Sequence, residues 1–413
     1  MKDLFYEKTK ERLIRYAKIN TQSVPFSSGT PSTSCQRDLA SELARELKTI
    51  GAQDVFYDEE NCVVYAKIGS TLPEGEEERA IGFIAHIDTA PDASGEGVKP
   101  WVLENYDGGD IVLNEALGIV MRAASFKNLS RYVGDDLILT DGTTLLGGDD
   151  KAAIASILTF AEYLTSHPEI PHGTVCLAFT PDEEVGGLAR DLDLERFGAK
   201  RAYTLDGDHL GYYIDETFNA SEAVVTVKGF SVHTATAKGI MINAVDVASE
   251  FMSRLPPRER PQYTEGREGF YHVVSCRASC EEARIELIIR DFDAESFETR
   301  EEFIRNTAKE LDGKYGGVTC EIIPQYRNMR EVIDTVPRMV DDLRRAISEC
   351  GIEPVCEPFR GGTDGAALSF RGLPCPNLSA GYENAHGRFE YVPIGSMVKN
   401  VEILLKLVQI ISQ

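Results

Sequence analysis

Gly142-Thr143-Thr144-Leu145-Leu146-Gly147-Gly148-Asp149-Asp150-Lys151-Ala152-Ala153 is the stretch on which the reading of the fold turns. The glycine pair permits a sharp backbone turn and close approach to a ligand, because no Cβ blocks positive φ. Directly behind it, Ile154, Ile157, Leu158, Ala161 and Leu164 recur at the spacing of one helix face. The pattern predicts a tight loop entering a helix at Asp149 and Asp150, where first-turn amides and the helix dipole favour negative charge. Plain N-terminal capping of a buried helix explains the same pattern. The other His, Asp and Glu residues must decide between the two.

Outward from that helix, Val63 to Ile68 and Ala80 to Ala85 read as strands, with an acidic surface turn at Pro73 to Glu78 between them. Thr174 to Thr180 and Ala202 to Leu205 read as two more strands. Ser34 to Ile50 carries a regular helical stripe stopped by Gly51, and Met1 to Tyr16 is a charged amphipathic helix. Strands alternating with helices predict an α/β domain with a largely parallel sheet. Near Glu216 the pattern changes to strand 223–227, helix 243–255, strand 284–289, helix 295–311 and strand 318–323. That order fits a small α+β domain with one sheet. After about Asn328 the α/β pattern returns, with helices at Val336 to Cys350 and Ile394 to Ile411. The expectation is a discontinuous main domain, residues 1–215 plus 329–413, interrupted by an inserted domain at 216–328.

The chain has 413 residues, of which 42% are hydrophobic and 27% charged, the composition of a soluble globular protein of two domains. No apolar run reaches bilayer length and the N-terminus has no signal-peptide core, so the expectation is a cytoplasmic protein without a membrane partner. A net charge of −24 argues against nucleic acid, which calls for a basic face. The same charge serves solubility and draws cationic ligands such as peptides with free amino termini. Nine cysteines, an odd number without a CxxC pair, read as reduced thiols, mostly buried.

His86 and Asp88 follow the apolar run 81–85, Glu183 and Glu184 follow the run 175–179, and Asp206 ends the run 203–205. Ligands of open α/β sheets bind beyond the carboxyl ends of the strands, so these groups land on one sheet edge. Together with Asp149 and Asp150 they form a dense set of O and N donors. So many carboxylates in one cleft repel one another unless neutralised, and a metal cation is the efficient remedy. Each piece alone has an ordinary explanation: a chance His-x-Asp pair, solvated glutamates, a turn at Asp206-Gly207-Asp208. His167, His172, His209 and His272 read as polar surface histidines in loops.

These blocks resemble the dinuclear-zinc exopeptidases. The resemblance rests on Ala85 to Asp92, Gly142 to Ala152, Thr180 to Gly186, Tyr203 to Gly207, Val232-His233, Ile288 to Asp293, Arg360 to Gly365 and Pro374 to Leu378, in family order along the chain. It implies a three-layer zinc-exopeptidase catalytic domain with an inserted α+β, ferredoxin-like lid domain. It also implies two zinc ions per subunit, although cobalt or manganese suits the same donors. Asp149 would bridge the ions, His86 and Asp206 would hold one, and Glu184 and His386 the other. Glu183 would be the general base, and Asp88 would orient His86. His233 would stabilise the oxyanion from the inserted domain, while Arg290, Arg360, Gly361 and Gly362 would bind the substrate. The implied reaction removes the N-terminal residue from short peptides, tripeptides above all, with a homodimer formed through the lid domain. A dipeptidase, a carboxypeptidase or an N-acyl amino-acid hydrolase shares that metal site, and a catalytically silent peptide-binding relative is the reading of another class. The sequence departs from the family pattern at Thr234-Ala235 after the lid histidine, at Gly148 in place of alanine, and across Ala380 to Ala385. All the implied metal ligands are present, so the departures bear on substrate preference.

Overall fold

In the computed structural model, which describes residues 2–73, 75, 79–187 and 189–413, the helix behind the glycine pair runs Gly148–Ser166. Gly147 takes a left-handed φ of 77° at its start, and Asp149 and Asp150 keep non-helical angles. Regular helix therefore begins behind the two carboxylates. The helix packs against helices Lys2–Ala17 and Ile394–Ile411 and against strands Ile81–His86 and Ala202–Gly207. Its residues from Gly148 to Ala161 are all buried. Phe160 meets Phe83 edge-on at 5.4 Å, and each such buried aromatic contributes about 1.5–3 kcal/mol.

The main sheet has eight strands in the order Gln53–Asp58, Val63–Ile68, Val175–Thr180, Ile81–His86, Ala202–Gly207, Asn377–Ser379, Tyr212–Ile214, Val355–Cys356. Its centre is parallel, with Ile81 opposite Val175, His86 opposite Thr180 and Ile84 opposite Thr204. The expectation of a largely parallel sheet needs correction, because Gln53–Asp58, Val63–Ile68 and Val175–Thr180 pair antiparallel, as do Tyr212–Ile214 and Asn377–Ser379. The first two are joined by a short turn in which Asp58 accepts the N–H groups of Glu60 and Asn61. So short a connection can join only antiparallel neighbours. Two small sheets escape the sequence reading. One joins Trp101–Leu103, Leu137–Leu139 and Val392–Pro393, the other Ile111–Asn114 and Ile119–Met121.

The chain divides into one unit of Met1–Asp215, Glu331–Glu357 and Thr363–Gln413, and a second of Glu216–Arg330 and Pro358–Gly362. The second unit holds a fully antiparallel sheet ordered Phe270–Ala278, Glu282–Asp291, Asn219–Lys228, Val318–Tyr326. With helices Ala244–Arg254 and Ala294–Tyr315 the chain order is strand, helix, strand, strand, helix, strand, the ferredoxin-like arrangement. Val225, Val247, Phe251, Ile285, Leu287, Ile304 and Leu311 form its core. Two departures from the expected boundaries have a local cause. Met329 donates its N–H to Thr217, and Phe359 pairs with the 216–218 segment through Phe359 N–H to Glu216 O and Phe218 N–H to Phe359 O.

Only Cys62, Cys176 and Cys375 are buried, so the thiols are not mostly internal as expected. Of the acidic turn at 73–78, Glu74 and Glu76 to Glu78 lie outside the described residues.

Candidate metal centre

Three parallel strands end side by side and deliver the donors. His86 is the last residue of Ile81–His86, Glu183 and Glu184 open the short turn after Val175–Thr180, and Asp206 lies near the end of Ala202–Gly207. Asp149 comes from the loop at the head of the long helix. His386 sits at the tip of a loop closed by paired Glu383 and Tyr391, with a left-handed φ of 62°.

Each oxygen of Asp149 faces a different imidazole. His86 Nε2 lies 3.0 Å from Oδ1, and His386 Nε2 lies 3.3 Å from Oδ2. His86 Nε2 also lies 3.6 Å from Asp206 Oδ1, and His386 Nε2 lies 2.9 Å from Glu184 Oε2. Two donors on one tetrahedral ion, each at about 2.0–2.2 Å, stand roughly 3.4 Å apart. The observed separations of 2.9 to 3.6 Å suit two adjacent ions sharing one carboxylate. His86, Asp149 and Glu184 form one set of mutually close donors, and His86, Asp150 and Asp206 another. Glu184 Oε1 is buried with no hydrogen-bond partner. A buried carboxylate oxygen left without a donor is costly, and a cation would satisfy it.

Asp88 organises the edge. Its buried carboxylate accepts the N–H of Glu183 at 3.0 Å and of Glu184 at 3.2 Å, and faces His86 Nδ1 at 3.3 Å. One side chain therefore fixes an imidazole and the turn that carries both glutamates.

The electrostatics follow from burial and crowding. Burial would lower the His86 imidazole, but Asp149, Asp206 and Asp88 hold it well above its ordinary value. Asp149 and Glu184 push His386 up to about 11. Burial works to raise the Asp149 carboxyl, and the two imidazoles outweigh it and bring it far below the usual range. Glu183 is held well above the carboxylate range by burial and by Asp206 and Asp364, and burial with Asp149 raises Glu184 to about 7. Such a set is the charge problem that divalent cations solve.

The remaining expected residues lie in the second unit. His233 is exposed and its Nδ1 accepts the Ala235 N–H at 3.1 Å. Arg290 is buried and donates to the carbonyls of Ser221 and Ile289 and to Gln325 Oε1. Arg360 donates to the carbonyls of Gly266 and Glu268 and to Thr264, over the rings of Phe218 and Phe270. A Cβ at Gly361 would come within 2.7 Å of Phe359, and one at Gly362 within 2.8 Å of Tyr326, so both glycines have a packing reason.

Three more groups stand beside the cluster: Asp150, which the sequence placed in the donor set without a ligand role, and Tyr382 and Glu390, to which it gave none. Asp150 is buried, its Oδ2 accepts the His86 N–H at 3.2 Å and its Oδ1 has no partner. Tyr382 donates to Asp206 at 3.3 Å. Glu390 accepts three backbone N–H groups of the Asp149 loop. Two histidine readings are corrected. His172 is buried with Nδ1 against the Gly173 carbonyl, and half-buried His209 bonds the Glu383 carboxylate at 2.8 Å. His272 is exposed but stands in a strand, and His167 closes a helix against Tyr163.

The sequence pattern of peptidase family M20/M25/M40 matches residues 147–410. Over 407 residues the chain is 50% identical to Peptidase T of Geobacillus kaustophilus (strain HTA426), covering 98% of each protein. Among solved structures it resembles aminopeptidase PepT from Bacillus cereus ATCC 10987, with a TM-score of 0.76 and 22% identity over 99% of each chain. It also resembles a tripeptidase from Staphylococcus aureus, with a TM-score of 0.74 and 21% identity over 98% of each chain.

Proposed function

This chain belongs to peptidase family M20/M25/M40 and is a hydrolase acting on peptide bonds, and we propose that it is a two-zinc aminopeptidase removing the N-terminal residue from short peptides, tripeptides first. The carrying observation is the placement of Asp149, with one oxygen toward His86 and the other toward His386. His86 and Asp206 would hold one ion, Glu184 and His386 the other, and Asp149 both. Imidazole and carboxylate suit zinc, with cobalt or manganese as substitutes. The relatives called Peptidase T, aminopeptidase and tripeptidase support the choice of substrate.

When bound, two such ions supply Lewis acidity and positive charge to the pocket. Glu183 takes the proton of the attacking water and returns it to the leaving amine, the work of a general base that then acts as a general acid. Asp88 keeps Glu183 in place through its backbone N–H and keeps His86 in one orientation. His233 donates to the oxyanion that develops on the scissile carbonyl, a contribution typically worth about 3–4 kcal/mol. Arg290 and Arg360, beside Gly361 and Gly362, bind polar groups of the peptide, each exchanging a present carbonyl bond to do so. The acidic surface favours substrates with a free ammonium end. Nine cysteines with no disulfide among the described residues support a cytoplasmic setting, and among the described residues no helix is long and apolar enough to cross a membrane. Self-association through the inserted domain belongs to the same reading.

A peptide panel tests the proposal. Free tripeptides should lose their first residue while N-acetylated tripeptides stay intact. Release of the C-terminal residue, or hydrolysis of N-acyl amino acids at a higher kcat/KM, would assign the chain to another branch of the family.

A further inference from the structure

Asp149 and His386 are far apart in sequence, yet their side chains meet at 3.3 Å. Something must set the distance between the two segments that carry them. His386 rides on a closed loop. Glu383 and Tyr391 exchange backbone hydrogen bonds of 2.9 and 3.1 Å at its base, Glu390 N–H reaches Gly387 O at 3.2 Å, and Asn384 Nδ2 reaches Phe389 O at 3.1 Å. The tip of that loop follows its base.

From the base, Glu390 turns its buried carboxylate onto the glycine loop. Oε2 accepts the N–H groups of Leu146 at 2.9 Å and Gly147 at 2.7 Å, and Oε1 accepts the N–H of Asp149 itself at 2.9 Å. Buried amides at a loop-to-helix entry need acceptors, and here one side chain satisfies three. Gly148 leaves the room for it. A Cβ there would stand 2.5 Å from Val392 Cγ2 and 3.0 Å from Glu390 Oε1.

We infer that Glu390 is a positioning residue that fixes the spacing between Asp149 and His386, with Gly148 as the small residue that admits its carboxylate. The inference rests on the ligand assignment proposed above. Both Glu390 oxygens are taken up by backbone N–H groups, so it acts through the two ligands. The same contact gives the glycine at 148 a packing reason, since a Cβ there would crowd Val392 and the Glu390 carboxylate.

The test uses the full chain, stripped of metal and titrated with Zn²⁺ against a chromophoric chelator, in wild type, His386→Ala and Glu390→Gln. The amide keeps the shape but offers one acceptor oxygen and turns a donor toward the loop N–H groups. Changing a partner that orients a ligand typically costs about 10–100-fold in metal affinity. Glu390→Gln should therefore resemble His386→Ala, with one zinc equivalent weakened about 10–100-fold and the other, which shares only Asp149, weakened less. The thermal midpoint of the metal-free chain should fall by a few degrees, as a buried amide left without an acceptor costs, while the transition stays cooperative. Two equivalents at wild-type affinity would overturn the inference, as would equal weakening of both with a collapse of the metal-free midpoint. Glu390→Asp, which keeps the charge but falls one methylene short of the loop N–H groups, carries the same expectation if Glu390→Gln does not fold. A wild-type chain that binds fewer than two equivalents would instead remove the ligand assignment itself, a result separable from a failure confined to Glu390.

Discussion

Replacing Asp88 with asparagine changes one oxygen for an NH2 group at the most connected carboxylate of the cluster. The native side chain accepts the N–H groups of Glu183 and Glu184 on separate oxygens and faces His86 Nδ1 at 3.3 Å. Asparagine can accept from only one of the two amides and sets a donor against the other. A buried amide left without an acceptor costs about 1–3 kcal/mol, so the urea midpoint should fall accordingly. His86 keeps a contact of 3.1 Å to the Asp88 carbonyl but loses the carboxylate. Loss of such a partner costs about 10–100-fold in metal affinity or activity, or about 1.4–2.7 kcal/mol at 1.36 kcal/mol per tenfold. The displaced turn also carries the proposed base. Together these effects should lower kcat/KM on a free tripeptide by about a hundredfold, with zinc content after dialysis below that of wild type. Steady-state kinetics and elemental analysis on one preparation measure both quantities. Asp88→Asn with kcat/KM within twofold of wild type and full metal content would refute the reasoning.

Glu183→Ala should lower kcat by about 10²–10⁴-fold while zinc content stays near wild type, and unchanged turnover would remove Glu183 as the base. His233→Ala should lower kcat by about 10²–10³-fold with little change in thermal midpoint, since His233 is exposed and accepts one local N–H. Equal rates in mutant and parent would take His233 out of the reaction. Arg12→Ala should destabilise the chain by about 2–3 kcal/mol, because Arg12 is buried and bonds Glu46, Thr159 and Glu162. Burial opposes ionisation of Glu162, but Arg12 and Lys8 prevail and depress its carboxyl. The stability this contributes is complete above the unfolded value of about 4.3 and is lost as pH falls through the lower folded value. The difference between wild type and Arg12→Ala in urea denaturation should therefore shrink below about pH 4; a gap that widens there would contradict the pairing.

The sequence carried the sheet edge because its signals are local. Apolar runs ending in His86, Glu183 and Asp206 mark strands and their carboxyl ends within a few residues, and the Gly147-Gly148 pair marks the helix entry. Strand Phe270–Ala278 escaped because it is an edge strand, half exposed, with too few buried positions to show alternation. Pro358–Gly362 gives no local sign of its unit, since its pairing partners stand near Glu216. The same limit hid Glu390 and the surroundings of His172 and His209. Side chains reaching distant backbone or carboxylate groups leave no periodicity in the chain. Strand direction at the sheet margins was equally illegible, because it depends on which neighbours the folded chain selects.

Anomalous diffraction at the zinc edge, from crystals of the zinc-loaded chain, addresses the shared carboxylate directly. Two peaks should flank Asp149, each about 2.0–2.2 Å from one of its oxygens, with His86 on one and His386 on the other. A single peak, or a pair that Asp149 does not join, would contradict the proposed centre.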